Sequence, residues 1–343
     1  MPDIHAPALR GNDPLGFLAA LGVLALSEQG EIKPLRLRWE GGTAPYAVFV
    51  TDAYAGTSDL ADDLRAVARR LLEADAAIPG CPPEFPYRNR HPADTAKGAD
   101  PMRMSRKAAR ATCEEAARQW ESGNPWFARW VAALLAPGAL DKDGPDGRVR
   151  LTPFNAPFGQ MKFRDSYYDQ ACRYVATTPG MPGDALLGWV RLDGYTGANL
   201  DARAIREAPV STAGVPSNAG APSPTWLAVM AFRFFPLADD GRIRTAGWQE
   251  VQLYPGATRR SLVWPVWRPP LDPPAVRVLL NHPDLAVLAP PGGTPRIAGG
   301  ARLRALGITG VYGSSRRTRT QGDGPLGPAI LLWPAHRPAV HRS

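Results

Sequence analysis

The sequence predicts an α+β protein of mixed helices and mainly antiparallel strands, helix-rich in its N-terminal half and strand- and loop-rich in its C-terminal half. Three observations carry this. Long apolar or amphipathic helical patterns dominate the first 140 of the 343 residues. Short alternating or apolar runs between Pro/Gly-rich turns dominate the rest. No strand–helix–strand repeat is present to build a parallel sheet. Length alone suggests about two domains, and the polar turn Gly138–Gly147 divides a region 1–140 from a basic region 148–343, with one continuous domain as the alternative.

The first helix is announced by Asn12 or Asp13 as cap and Pro14 at the first helical position. Leu15, Phe17, Leu18, Leu21, Val23, Leu24 and Leu26 surround its axis, which predicts a helix buried on all sides. Gly16 and Gly22 weaken it by about 1 kcal/mol each relative to Ala, and their use is close approach of another backbone. Leu35–Trp39 and Tyr46–Val50 read as strands. Ser58 caps an amphipathic helix over 58–77. Six prolines between 79 and 101 mark an extended connection long enough to carry function. Helices follow near 102–121 and 125–136, then a short strand at Val149–Leu151 and a helix near 165–176. Leu186–Leu192 reads as a strand and 208–224 as a loop. Trp226–Phe235 fits helix or strand. Arg242–Arg244, Glu250–Leu253, Ser261–Trp267, Ile308–Tyr312 and Ala329–Trp333 read as strands, and Pro274–Asn281 and Gly300–Leu306 as short helices.

Forty basic and thirty-two acidic side chains give a net charge of +8. Residues 1–150 hold 19 basic and 20 acidic groups, and residues 151–343 hold 21 and 12, so the whole excess lies in the second half. Such an excess favours polyanionic partners; a GC-rich coding bias, visible as 35 Arg against 5 Lys, explains it equally well. The longest apolar run, Pro14–Leu26, is 13 residues where a membrane helix needs about 20. With Asp3 and Asp13 around it, it also makes a poor leader. The expectation is a cytoplasmic protein without a membrane partner.

The chemistry-bearing patterns are few. No phosphate loop, nucleophile elbow, zinc-protease helix or dinucleotide fingerprint occurs. Cys81, Cys113 and Cys172 fit neither a disulfide framework nor a zinc spacing. His5, His91, His282, His336 and His341 are isolated, so no metal, cofactor or catalytic residue is assigned. Three basic clusters remain. Arg103, Arg106, Lys107 and Arg110 fall at i, i+3, i+4 and i+7 after Asp100-Pro101, crowding the positive end of a helix dipole at about 0.3–1 kcal/mol per charge. Phosphate contacts would explain this, and so would a solvated face relieved by Glu114 and Glu115. Ser314–Thr320 places Arg316, Arg317 and Arg319 among hydroxyls, as a phosphate-binding segment or an inert basic loop. Gly159–Tyr168 interleaves Lys162 and Arg164 with Phe163, Tyr167 and Tyr168, a pattern that could track a nucleic-acid backbone while stacking bases; Phe163 and one of the tyrosines are instead expected in the core. Core packing is also expected for Trp264 and Trp267.

Two stretches resemble CRISPR-associated proteins of type I-G (formerly I-U) systems: Gly11-Asn-Asp-Pro-Leu-Gly-Phe-Leu-Ala-Ala-Leu-Gly-Val-Leu-Ala-Leu26, and the run from Leu262 to Leu280. The resemblance implies a large-subunit-like or accessory component of an RNA-guided DNA surveillance complex in antiviral defence. Its partners would be guide RNA, target DNA or both, and other CRISPR-associated subunits. The chain is short for a full large subunit, and no family catalytic residue can be carried over. The reading from sequence is therefore a non-catalytic RNA- or DNA-binding component of a ribonucleoprotein complex. The alternatives are an RNA-processing nuclease using His91 or another isolated histidine in a spatially assembled site, and a protein–protein adaptor docking through 79–101.

Overall fold

Asp13 sets the first helix. In the computed structural model its backbone is extended and its carboxylate accepts the Leu15 amide at 3.1 Å, with Pro14 following. The structure describes residues 3–95, 98, 100–142, 147–156, 161–204, 218–254, 258–290, 293–319 and 322–334. Positions 143–146 of the polar turn, 208–217 of the expected loop, Gly159, Gln160, Thr320, His336 and His341 lie outside the described residues.

The helices are α1 (Pro14–Glu28), α2 (Thr57–Glu73), α3 (Arg106–Glu121), α4 (Trp126–Leu134), α5 (Gln170–Thr177), α6 (Met181–Leu187), α7 (Pro222–Met230), α8 (Pro273–Leu280) and α9 (Gly300–Ala305). Strands longer than two residues are β1 (Asp3–Arg10), β2 (Arg36–Glu40), β3 (Tyr46–Val50), β4 (Leu135–Leu140), β5 (Val149–Leu151), β6 (Trp248–Val251), β7 (Arg259–Trp267), β8 (Ile308–Arg319), β9 (Gly322–Leu326) and β10 (Ile330–Pro334). Every ladder among the described residues is antiparallel. The three-stranded sheet runs β1-β3-β2; the five-stranded sheet runs β6-β7-β8, with β8 continuing onto β9 at one end and β10 at the other; β4 and β5 form a separate hairpin pair. The protein is thus α+β.

α1 is the centre of the core. From Pro14 to Leu26 every residue is buried, and each Leu or Phe contributes about 1.5–3 kcal/mol by leaving water. Gly22 faces α7 so closely that a Cβ would overlap the carbonyl of Leu227, and Gly16 meets the backbone of Arg10. The ring of Phe17 stacks on Trp39 at 5.8 Å and Trp264 at 5.6 Å, with Trp267 edge-on. Trp264 Nε1 donates to Gly11 O (2.7 Å) and Trp267 Nε1 to Leu37 O (2.8 Å), so the indoles join the two sheets. The two stretches that carry the family resemblance therefore pack on one another. Residues from both sides of the polar turn belong to this one core.

At the far end of α1, Glu28 receives three guanidinium groups, from Arg233 (2.7 Å), Arg277 and Arg129 (3.8 Å). Arg233 is buried against Trp126, and burial pushes its pKa down to about 10.

Several expectations change. Gly56 precedes α2, so Ser58 lies inside the helix and bonds Asp59 instead of capping. Leu186–Leu192 is not a strand: left-handed Gly180 and Pro182 start α6, which ends at Leu187. Residues 222–234 are helical, resolving Trp226–Phe235 and shortening the loop before it. α3 starts at Arg106, four residues later than expected. Ser105 accepts the Ala108 amide while Asp100 turns the preceding chain by accepting the Met102 amide at 3.0 Å.

Candidate nucleic-acid interface

The late start of α3 reduces its basic stripe from four residues to three. Arg103 precedes the helix and pairs with Asp141 at 2.7 Å. Arg106, Lys107 and Arg110 occupy the first turns and are exposed. Among the described residues none of the three has an ion pair or side-chain hydrogen bond. The neutralisers that the sequence offers point elsewhere: Glu115 takes Arg118 at 2.7 Å and Gln119 at 3.2 Å, and Glu114 forms no ion pair among the described residues. Three positive charges thus face water at the end of a helix whose dipole opposes them.

The other clusters separate into exposed and structural members. Lys162 is exposed and lies near the Asp100 turn that precedes α3, because the next residue, Phe163, donates its amide to Asp100 at 3.2 Å. Arg164 is a correction. It is 2% exposed, and its guanidinium is filled by Asp169 (3.1 Å) and the carbonyls of Asp75 (2.6 Å), Pro83 (2.5 Å) and Pro86 (3.2 Å). It clamps the proline-rich segment and has no face for phosphate. Arg316 is a second correction, and for the same reason. β8 runs on through Arg319, so this cluster is a strand and not a polar loop. Arg316 is buried, donating to the carbonyls of Pro153 and Phe154 (2.8 Å each) and Gly324 (3.0 Å). Ser314 and Ser315 are buried with it, on Gly327 O and Ser261. Arg317 is half-buried and engaged. Arg319 ends the strand, and its side chain lies outside the described part. Phe163, Trp264 and Trp267 are core, as expected, and both Tyr167 and Tyr168 are buried where only one was expected to be.

The sequence does not reveal that α3 also walls a cleft of about 760 Å³ beneath residues 82–92. Ala111, Glu115 and Arg118 line it from the helix, and Lys107 continues the same i, i+4 stripe one turn beyond. Tyr87 and His91 form the opposite wall, their rings edge to face at 5.5 Å. The Tyr87 hydroxyl bonds Thr112 at 3.2 Å. Arg88 spans Asp75 (2.6 Å) and Asp169 (2.9 Å), carboxylates that raise its pKa, and it braces the rim. His91 Nδ1 accepts the Ala93 amide at 3.1 Å. That bond places the neutral ring's proton on Nε2, leaving a donor and not a base for any ligand. The six prolines were the only signal of this cleft. Arg118 carries none.

A second hollow of about 700 Å³ lies between the β2–β3 turn and the second sheet, walled by Trp39, Tyr312 and Leu331. Its Arg38 is held by Asp3 at 2.6 Å and by Glu40. No cluster of His, Cys, Asp and Glu among the described residues could hold a metal ion, and no helix among them is long and apolar enough to cross a membrane.

Compared with known proteins, the chain matches no family model and no curated protein. Fold and site define a class: an α+β protein that presents an exposed basic helix turn beside a cleft of mixed polar and apolar lining.

Proposed function

We propose that this protein is a non-catalytic nucleic-acid-binding component of an RNA-guided surveillance complex, its phosphate contacts made by Arg106, Lys107 and Arg110, with Lys162 at their side. One observation carries the binding reading: these three cations are left exposed and unpaired, among the described residues, where the helix dipole makes them costly. Phosphates would supply the missing counter-charge, and a base-paired guide would supply sequence specificity. Membership of a CRISPR-type complex rests on the resemblance of Gly11–Leu26 and Leu262–Leu280. General-base action by His91 in RNA cleavage is disfavoured, because Nδ1 already accepts a backbone amide and Nε2 carries the proton.

The test is reversal of Arg106, Lys107 and Arg110 to Glu together. Three lost contacts to single-stranded nucleic acid should flatten the log–log salt slope of binding by about 2. An unchanged slope would refute the assignment. Co-purification with the products of the neighbouring genes, followed by sequencing of bound RNA, tests the complex. A clean monomer without RNA would remove it.

A further inference from the structure

We infer that the cleft between α3 and residues 82–92 takes an unpaired segment of the nucleic acid that the α3 turn holds. The inference rests on the binding reading above and adds the strandedness of the ligand and its path. Size is the first argument. About 760 Å³ is the volume of a small-ligand site and suits one or two nucleotides. A base-paired duplex is too broad to enter it.

Chemistry is the second argument. Tyr87 and His91, both half-buried, offer ring surface on which a base can stack, a contact open to every base. The fixed tautomer of His91 leaves Nε2–H as a donor for a phosphate or base oxygen. Glu84 and Glu115 supply acceptors for base amino groups. Arg118 is 64% exposed and, among the described residues, held by the i,i+3 pair with Glu115 alone, a solvent-screened contact that a phosphate can replace. Continuity is the third argument. Lys107, Ala111, Glu115 and Arg118 share one stripe of α3, so a strand bound at the basic turn is delivered along the helix into the cleft. The wall opposite is fixed in advance: Arg164 and Arg88 tie it to Asp75 and Asp169, so little order is lost on binding.

The experiment fills the cleft without changing charge. Ala111→Trp is compared with the unaltered full chain for binding to an oligouridylate and an oligothymidylate of about ten nucleotides, and to a duplex of the same length. Single-strand affinity should fall about tenfold or more, with duplex affinity unchanged. Arg118→Glu, at an exposed position, should act in the same direction and decides the matter if the Trp variant lacks a cooperative melt. Equal single-strand affinity in the folded variants and the parent would overturn the inference, as would tighter binding of duplex than single strand. The triple α3 reversal separates the two readings. If it weakens both ligands while the cleft variants weaken neither, the turn stands and the cleft falls. If it changes nothing while the cleft variants lose single strands, the cleft stands and the turn falls. A parent that binds none of the probes refutes both.

Discussion

Arginine plays two opposite parts in this molecule, and single substitutions separate them. Arg164 and Arg316 hold buried carbonyls, and truncating either to Ala leaves several acceptors without partners. Each should lower stability by about 2–4 kcal/mol in urea titration; Arg316→Ala should leave nucleic-acid binding by the fraction still folded unweakened, whereas Arg164→Ala also loosens the cleft wall. At Arg106, Lys107 and Arg110 the sign reverses. Replacing them by Glu puts acidic groups at a helix N-terminus, so the triple variant should be more stable by about 1 kcal/mol even as it binds less. A variant that is both weaker and less stable would mean the turn is structural. Asp13 offers a pH test. It sits largely buried beside Asp201 and Arg203, and burial chiefly raises its pKa to about 6. The folded state therefore holds this proton more tightly than the unfolded chain, whose value is 3.8. Stability from this group is greatest near pH 4 and declines as the pH rises to 6, by about 1–3 kcal/mol. Asp13→Asn keeps the cap and should flatten that part of the profile.

Among the elements, α1 makes the sharpest prediction. At Gly22 a methyl group has no room against the Leu227 carbonyl. Gly22→Ala should cost at least about 3 kcal/mol despite its better helix propensity, seen as a lower melting temperature or an insoluble chain. This helix was legible from sequence, because cap, proline and an all-round apolar surface agree with one another. Tyr46–Val50 and Ser261–Trp267 were legible for the same reason, being runs of β-branched and aromatic residues between turns. Where local signals conflicted, reading failed. Asp100-Pro101 looks like a helix start, yet the carboxylate closes a separate turn and Ser105 does the capping. Leu186–Leu192 lacks the length to show a helical period. The basic clusters were half legible, since sequence gives charge and tertiary structure alone decides whether a guanidinium meets water, as at Arg110, or backbone, as at Arg316. Sequence spacing could not disclose the cleft, whose walls come from residues far apart in the chain.

Taken whole, the molecule has, among the described residues, a main core that draws on both sides of the polar turn, with a small satellite of Ala136, Ala139 and Ile243, so calorimetry should record a single cooperative unfolding transition. Two well-separated transitions would contradict it. The placement of α1 has a further consequence during synthesis. Its principal partner, α7, begins 194 residues after Glu28, from 222 − 28. At about 5–20 residues per second the ribosome needs about 10–40 s to deliver it. For that interval α1 has the β1-β3-β2 sheet beside it but nothing over the face that α7 covers, and Glu28 waits as long for Arg233 and longer for Arg277. The central helix is thus made early and covered late, its last partners arriving only with the second half of the chain.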